Sequence, residues 1–143
     1  EMMSLARDRD LVALQYSSGF REVIHEGLPG IASALRAGRS LEEAAILCHL
    51  WLIARHGDSL IARKCGEAAS REASHRAKEV LDAGWPTGES SVALLDGLDC
   101  WLRADGNRRN PGACADLLSA VLFLGLASGI ICLPLAPGKS SHG

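Results

Sequence analysis

From Leu117 to Ala136 the chain runs for twenty residues without a charged side chain. A stretch of that length and polarity has two natural homes, the hydrocarbon of a bilayer or the middle of a protein core. The bilayer fits poorly. Gly125, Gly129 and Pro134 interrupt the run, Ser119 and Ser128 dilute it, and no basic cluster flanks either end. The run is therefore read as a buried core helix ending near Gly129, and the rest of the chain must supply the surface that covers it.

The remainder is suited to that task. With 143 residues the chain can form one domain with a real core. Its 48% hydrophobic content is dominated by Ala and Leu, with few β-branched runs, which favours helices. The expected fold is all-α, a single bundle of about six helices without a large sheet. A net charge of -2 and only 4% aromatic residues leave no nucleic-acid footprint and no base-stacking platform. The five cysteines, Cys48, Cys65, Cys100, Cys114 and Cys132, show no Cys-x-x-Cys pair. They read as reduced thiols of a cytoplasmic protein rather than a disulfide framework or zinc site, with Cys48, Cys100 and Cys132 packing as small apolar residues. Residues 1–7 lack the cationic start and apolar core of a secretory leader.

Periodicity divides the chain further. Leu5, Leu11, Val12, Tyr16, Phe20, Val23 and Ile24 predict a first helix over 3–26, and Gly27-Leu28-Pro29-Gly30 a turn before a short helix over 31–37. Ser40-Leu41-Glu42-Glu43 is a capping box opening a helix to Arg55 with Leu41, Ala45, Cys48 and Leu52 on its apolar face. Asp58 caps the next helix, expected to continue to about Ala83 with a charged, solvated middle. A loop at 84–88, an amphipathic helix over 90–103 and a polar loop at 105–109 follow. The helical domain is placed at 1–132 and a flexible tail at 133–143, rich in Pro, Gly and Ser.

Two constellations carry the chemistry. In Asn110-Pro111-Gly112-Ala113-Cys114-Ala115-Asp116, Asn110 is a good N-cap, Pro111 suits the first helical position, and Gly112 permits close approach to the backbone. The resulting helix start offers N–H groups to an anion such as phosphate. Asp116, with no other charge until Lys139, must be paired, protonated or metal-bound if it is enclosed. In the second, Arg63 and Lys64 could neutralise phosphates while Asp58 holds Mg²⁺; a helix cap beside surface cations is the plainer alternative. His56, with His49 seven residues earlier, is a candidate proton carrier or a satisfied core histidine. Cys114 at a helix start could have a lowered pKa. Ser119 has no His or Asp at a recognisable spacing, which excludes a serine hydrolase.

The same segments carry a resemblance. Residues 110–119 resemble the Ser-Pro-Gly-Gly-Ser-Ala-Asp-Leu-Leu-Ala motif of the triphosphoribosyl-dephospho-CoA synthases, and His56 to Gly66 resemble that family's Asp-Thr-Asn…Arg-Gly-Gly segment. A weaker likeness covers 7–16, followed by Phe20 and Gly27-Leu28-Pro29. The resemblance implies transfer of the triphosphoribosyl group of ATP to the 2′-hydroxyl of 3′-dephospho-CoA with release of adenine. The product is the prosthetic-group precursor of citrate lyase and malonate decarboxylase. It further implies Asp58 and Asp116 as catalytic or Mg²⁺-binding carboxylates, and Arg63, Lys64, Asn110 and Gly112 as phosphate contacts. The partners expected are small molecules, with neither nucleic acid nor membrane, and a homo-oligomer is compatible with them. Family motifs that precede these blocks are missing, so the chain is expected to be the C-terminal part of a longer enzyme. Ala113 in place of the family's second Gly, Ser59-Leu60 in place of Thr-Asn, and Lys64-Cys65-Gly66 after Arg63 leave two alternatives. One is a divergent member acting on another acceptor in one-carbon metabolism; the other is a non-catalytic helical interaction module.

Overall fold

The computed structural model describes residues 20, 21 and 23–133, which are helical with no strand among them. Most of the first helix expected over 3–26, and the tail from 134 onward, lie outside the described residues. A π-helical turn, Val23–Gly27, runs straight into α1, Leu28–Arg36. The turn expected at Gly27-Leu28-Pro29-Gly30 is thus helical, because Pro29 falls in the first turn, where no intrahelical bond needs its missing N–H.

Helix α2, Leu41–His56, opens on the capping box as expected. Ser40 Oγ accepts from the Glu43 N–H at 3.1 Å, and Glu43 accepts from the Ser40 N–H at 3.1 Å. Its buried residues are Ala44, Cys48, Leu50, Leu52 and Ile53, more than the single face read from periodicity, because α2 is central and receives α1, α4 and α6. The helix expected from Asp58 to Ala83 is two: α3, Ser59–Cys65, and α4, Glu67–Asp82. Gly66 breaks it with φ of +94°, a conformation that opposes any side chain.

Ser70, Ala73 and Ala77 keep the buried side of α4 thin, so that it lies closely along α2; the Ser74 hydroxyl donates to the Ala54 carbonyl at 2.6 Å. Helix α5, Ser91–Arg103, packs on α4 and is mostly exposed. Only Ser91 and Leu98 are enclosed, while Val92 is 53% exposed, since no described element covers its outer face. A 3₁₀ turn, Asp105–Asn107, leads to α6, Gly112–Ala127, which packs on α2, α1, α3 and the π-helical turn. Leu117, Val121 and Gly125 of α6 enter the core as the uncharged run requires, yet Phe123 is 69% exposed. No helix among the described residues is long and apolar enough to cross a membrane.

Removing the cap at the head of this central helix tests its weight. Ser40→Ala should lower the unfolding free energy by about 1 kcal/mol, read as a shift in urea midpoint at unchanged slope.

Candidate functional site

The segment between α2 and α3 is organised around one carboxylate. Gly57 turns the chain with φ of +65°, and a Cβ there would sit 2.5 Å from Ser70 Oγ. That hydroxyl accepts the Asp58 N–H at 2.9 Å. Asp58 is only 1% exposed. Its Oδ1 accepts from the N–H groups of Leu60 and Ile61 at 2.9 and 3.1 Å, and its Oδ2 from the Cys114 N–H at 2.8 Å. One side chain therefore caps α3 and also holds the first turn of α6, 56 residues away. The Cys114 thiol closes the knot by donating to the Gly57 carbonyl at 3.1 Å. Burial, reinforced by the Asp58 charge, pushes this thiol well above its usual range, opposite to the lowering expected at a helix start. Burial likewise pushes Cys48 up to about 11. Cys100, on the outer face of α5, and Cys132, past the end of α6, are exposed rather than packed as expected; none of the five thiols is in a disulfide.

In this arrangement Asp58 has no face open to a magnesium ion or a ribose. Among the described residues no group of three or more His, Cys, Asp or Glu side chains is placed to hold a metal ion. Asp58→Asn keeps the shape but replaces one acceptor oxygen by an NH₂. It should cost about 2 kcal/mol, the scale of a hydrogen bond to a charged group, measurable by urea unfolding.

The other expected residues are distributed around the same corner. Helix α6 begins at Gly112 with Pro111 as its cap, and no side chain caps it; Asn110 instead accepts the Gly112 N–H through its backbone carbonyl at 2.8 Å. Gly112 serves close packing, since a Cβ there would lie 2.6 Å from Leu60 Cδ2 of α3. With the Gly112 and Cys114 N–H groups already bonded, the helix start has less to offer an anion than its sequence suggests. Asp116 is exposed while Leu117 beside it is buried, so the two carboxylates lie on different sides of α6, one inside and one in solvent. A solvated acid near a helix N-terminus is favoured by the macrodipole and needs no partner. Arg63 and Lys64 are exposed at the end of α3, where the Arg108 guanidinium donates to the Lys64 carbonyl at 3.0 Å. Arg109 turns the other way, lying 4.5 Å from the Trp101 ring centroid and donating to the Trp101 carbonyl at 3.0 Å.

Beside this corner α2 and α5 leave a cleft of about 460 Å³. Ile46, Leu50, Ile53, Leu95, Leu98 and Leu102 form its apolar walls; His49, Asp96, Asp99, Arg103, Asn107 and Asn110 bring polar groups to it. His49 lies beside the Pro111 carbonyl, and its Nε2 is shielded from solvent without a partner. His56, by contrast, stands edge-on to Trp51 with ring centroids 6.0 Å apart. Asp96 and Asp99 went unnoticed in the sequence because the helix over 90–103 was read only for its apolar positions; two acids three residues apart beside Leu95 and Leu98 were the available signal.

Burial lowers the His49 pKa, opposed by the Asp58 charge and the Pro111 hydrogen bond. A base with a lowered folded-state pKa binds fewer protons when folded, so its contribution is present above about pH 6.5 and is lost as pH falls through the folded pKa. Urea midpoints measured from pH 7.5 down to pH 4.5 should therefore fall less steeply in His49→Phe than in the unaltered chain.

Residues 1–131 match the family described as CitG: ATP:dephospho-CoA triphosphoribosyl transferase. Among curated proteins, a probable 2-(5''-triphosphoribosyl)-3'-dephosphocoenzyme-A synthase of Pseudomonas fluorescens (strain Pf0-1) is 32% identical over 74% of this chain and 36% of its own length. A probable enzyme of the same name from Stutzerimonas stutzeri (strain A1501) is 32% identical over 77% of this chain and 37% of its own. The 2-(5''-triphosphoribosyl)-3'-dephosphocoenzyme-A synthase of Klebsiella pneumoniae is 29% identical over 78% of the chain and 39% of its own. The chain thus spans little more than a third of the length of these relatives. No solved structure matches it.

Proposed function

Because the chain belongs to the CitG family of ATP:dephospho-CoA triphosphoribosyl transferases, we propose that it takes part in moving the triphosphoribosyl group of ATP to the 2′-hydroxyl of 3′-dephospho-CoA. The observation that carries this reading is the match over residues 1–131, which includes both the Asp58 knot and the start of α6. In such a transfer the bond between ribose C1′ and adenine breaks, a C1′–O bond to the acceptor forms, and the hydroxyl proton ends on the departing adenine. Positive charge develops at C1′ as the base leaves, and nearby carboxylates stabilise it.

The residues divide these tasks according to their placement. Asp58 acts at a distance, by fixing α3 and α6 to one another; its carboxylate touches no substrate in this reading. Asp116, in solvent near the start of α6, is the carboxylate of the original pair that substrate can reach. The triphosphate, which stays with the ribose, is met by Lys64, Arg63 and Arg108 at the end of α3, and no step is assigned to Mg²⁺. Free thiols throughout the chain suit a reducing compartment, in keeping with a cytoplasmic enzyme.

The test is direct. The chain, incubated with ATP and 3′-dephospho-CoA, should release adenine in amounts equal to the acceptor that gains a triphosphoribosyl group by mass spectrometry. Asp116→Asn should slow both by ~10-fold or more, the order of a lost electrostatic contact. Neither adenine nor modified acceptor would overturn the reading.

A further inference from the structure

The loop that joins α5 to α6 stands in an unfavourable backbone conformation. Asp105, Gly106 and Asn107 have φ of +57°, +62° and +62°, three left-handed residues in succession, of which only Gly106 lacks a Cβ to oppose it. Such a run persists where contacts outside it hold it in place. Two successive arginines supply those contacts, and they go to different helices. Arg108 reaches α3: its guanidinium donates to the Lys64 carbonyl at 3.0 Å, and its own carbonyl accepts from the Cys65 thiol at 3.4 Å. Arg109 reaches α5: it donates to the Trp101 carbonyl at 3.0 Å and lies 4.5 Å from the Trp101 ring centroid. The same ring has Arg76 of α4 at 5.2 Å, where Arg76 is also paired with Glu72 at 2.7 Å. Trp101 thus seats one cation from α4 and one from the loop.

This seat bears on Arg108. A guanidinium carries five N–H donors in a rigid plane, and the bond to Lys64 uses one of its nitrogens. The Arg108 side chain is 61% exposed, and Asp105, 3.9 Å from its Nη1, is too distant for a hydrogen bond. Donors therefore remain open to solvent at the end of α3, beside the residue that brings the Lys64 charge. Their direction is set by the backbone of the loop, which the neighbouring Arg109 ties to α5.

We propose that Trp101 is a positioning residue for Arg108. By seating Arg109 on its ring, it fixes the loop from which the Arg108 guanidinium reaches the end of α3, and so presets the donors offered there to a polyphosphate. Trp101 itself touches no substrate. That the anion is a polyphosphate rests on the transferase reading; the clamp rests on the left-handed run and its two arginine anchors.

Inorganic tripolyphosphate is the probe, titrated by calorimetry into the whole chain and into variants whose thermal unfolding shows them folded. The Arg108 side-chain N–H resonances, assigned by their loss in Arg108→Ala, report the bond to Lys64. Trp101→Leu should move these resonances and weaken tripolyphosphate binding ~5-fold, the order of one cation–π contact. Arg109→Ala, which leaves the packing of Trp101 in place, should do the same. Trp101→Phe keeps an aromatic face and should recover both the resonances and the affinity. Because Trp101 acts through Arg108, Trp101→Leu should add no further loss in an Arg108→Ala background, whereas a merely structural role would weaken binding equally in both backgrounds. Arg108 resonances unmoved by Trp101→Leu and Arg109→Ala, a full-sized loss that persists without Arg108, or no recovery in Trp101→Phe would overturn the assignment. Resonances that move in these variants while the unaltered chain binds no tripolyphosphate would retain the clamp and reject the phosphate contact of the transferase reading. Unmoved resonances with tripolyphosphate still bound would do the reverse.

Discussion

The corner of this fold is held by a single buried carboxylate. Asp58 collects N–H donors from the starts of two helices, α3 and α6, that are far apart in sequence. Each helix start alone would present unsatisfied donors and a partial positive charge to its neighbour, so two of them meeting in a core would repel. An ionised acid between them satisfies the donors and reverses the electrostatics. That lets the apolar start of α6, with Ala113 and Cys114 buried, sit against α2 and α3. Gly57 and Gly112 are the steric counterparts of this bond. The first leaves room for Ser70 to receive the Asp58 N–H, and the second lets Leu60 close over the start of α6.

The parts of this arrangement that were legible in the sequence are those written in local spacing. Ser40 and Glu43 stand three apart in a capping box, and Asp58 precedes its helix by one residue, so both caps could be read without knowledge of the fold. The uncharged run gave α6 its place in the core for a similar reason. What could not be read is long-range. Nothing near Asp58 shows that its second oxygen belongs to Cys114, and the same spacing that identifies a cap also suggests a metal ligand. The break at Gly66 was hidden because helix-forming residues stand on both sides and a lone glycine costs a helix only about 1 kcal/mol. Periodicity also overstated the burial of α5, since an apolar stripe tells that a face is suited to packing, not that a partner is present.

The cleft illustrates the same limit from the functional side. Its residues come from α2, from α5 and from the loop before α6, and no motif links them. Sequence reasoning placed the chemistry at the residues that resemble a family motif, Asp58 and Asp116. The structure puts one of these inside the scaffold and the other in solvent. A motif can persist because it builds a site as much as because it lines one. Asp58 is an instance of the first kind, holding the segment whose Pro111 carbonyl in turn orients His49.

The loop over 107–111 then acts as a partition between two electrostatic environments. On one flank Arg108 bonds to the Lys64 carbonyl, gathering positive charge at the end of α3. On the other flank Asn107, Asn110 and Pro111 border a cleft whose unpaired charge is negative. Arg109, stacked on Trp101, is kept out of that cleft, and its guanidinium stabilises the loop rather than neutralising the acids. With Arg109 stacked on Trp101 and Arg103 paired with Asp99, the cations beside the cleft are committed to protein partners, so its remaining charge is set by Asp96.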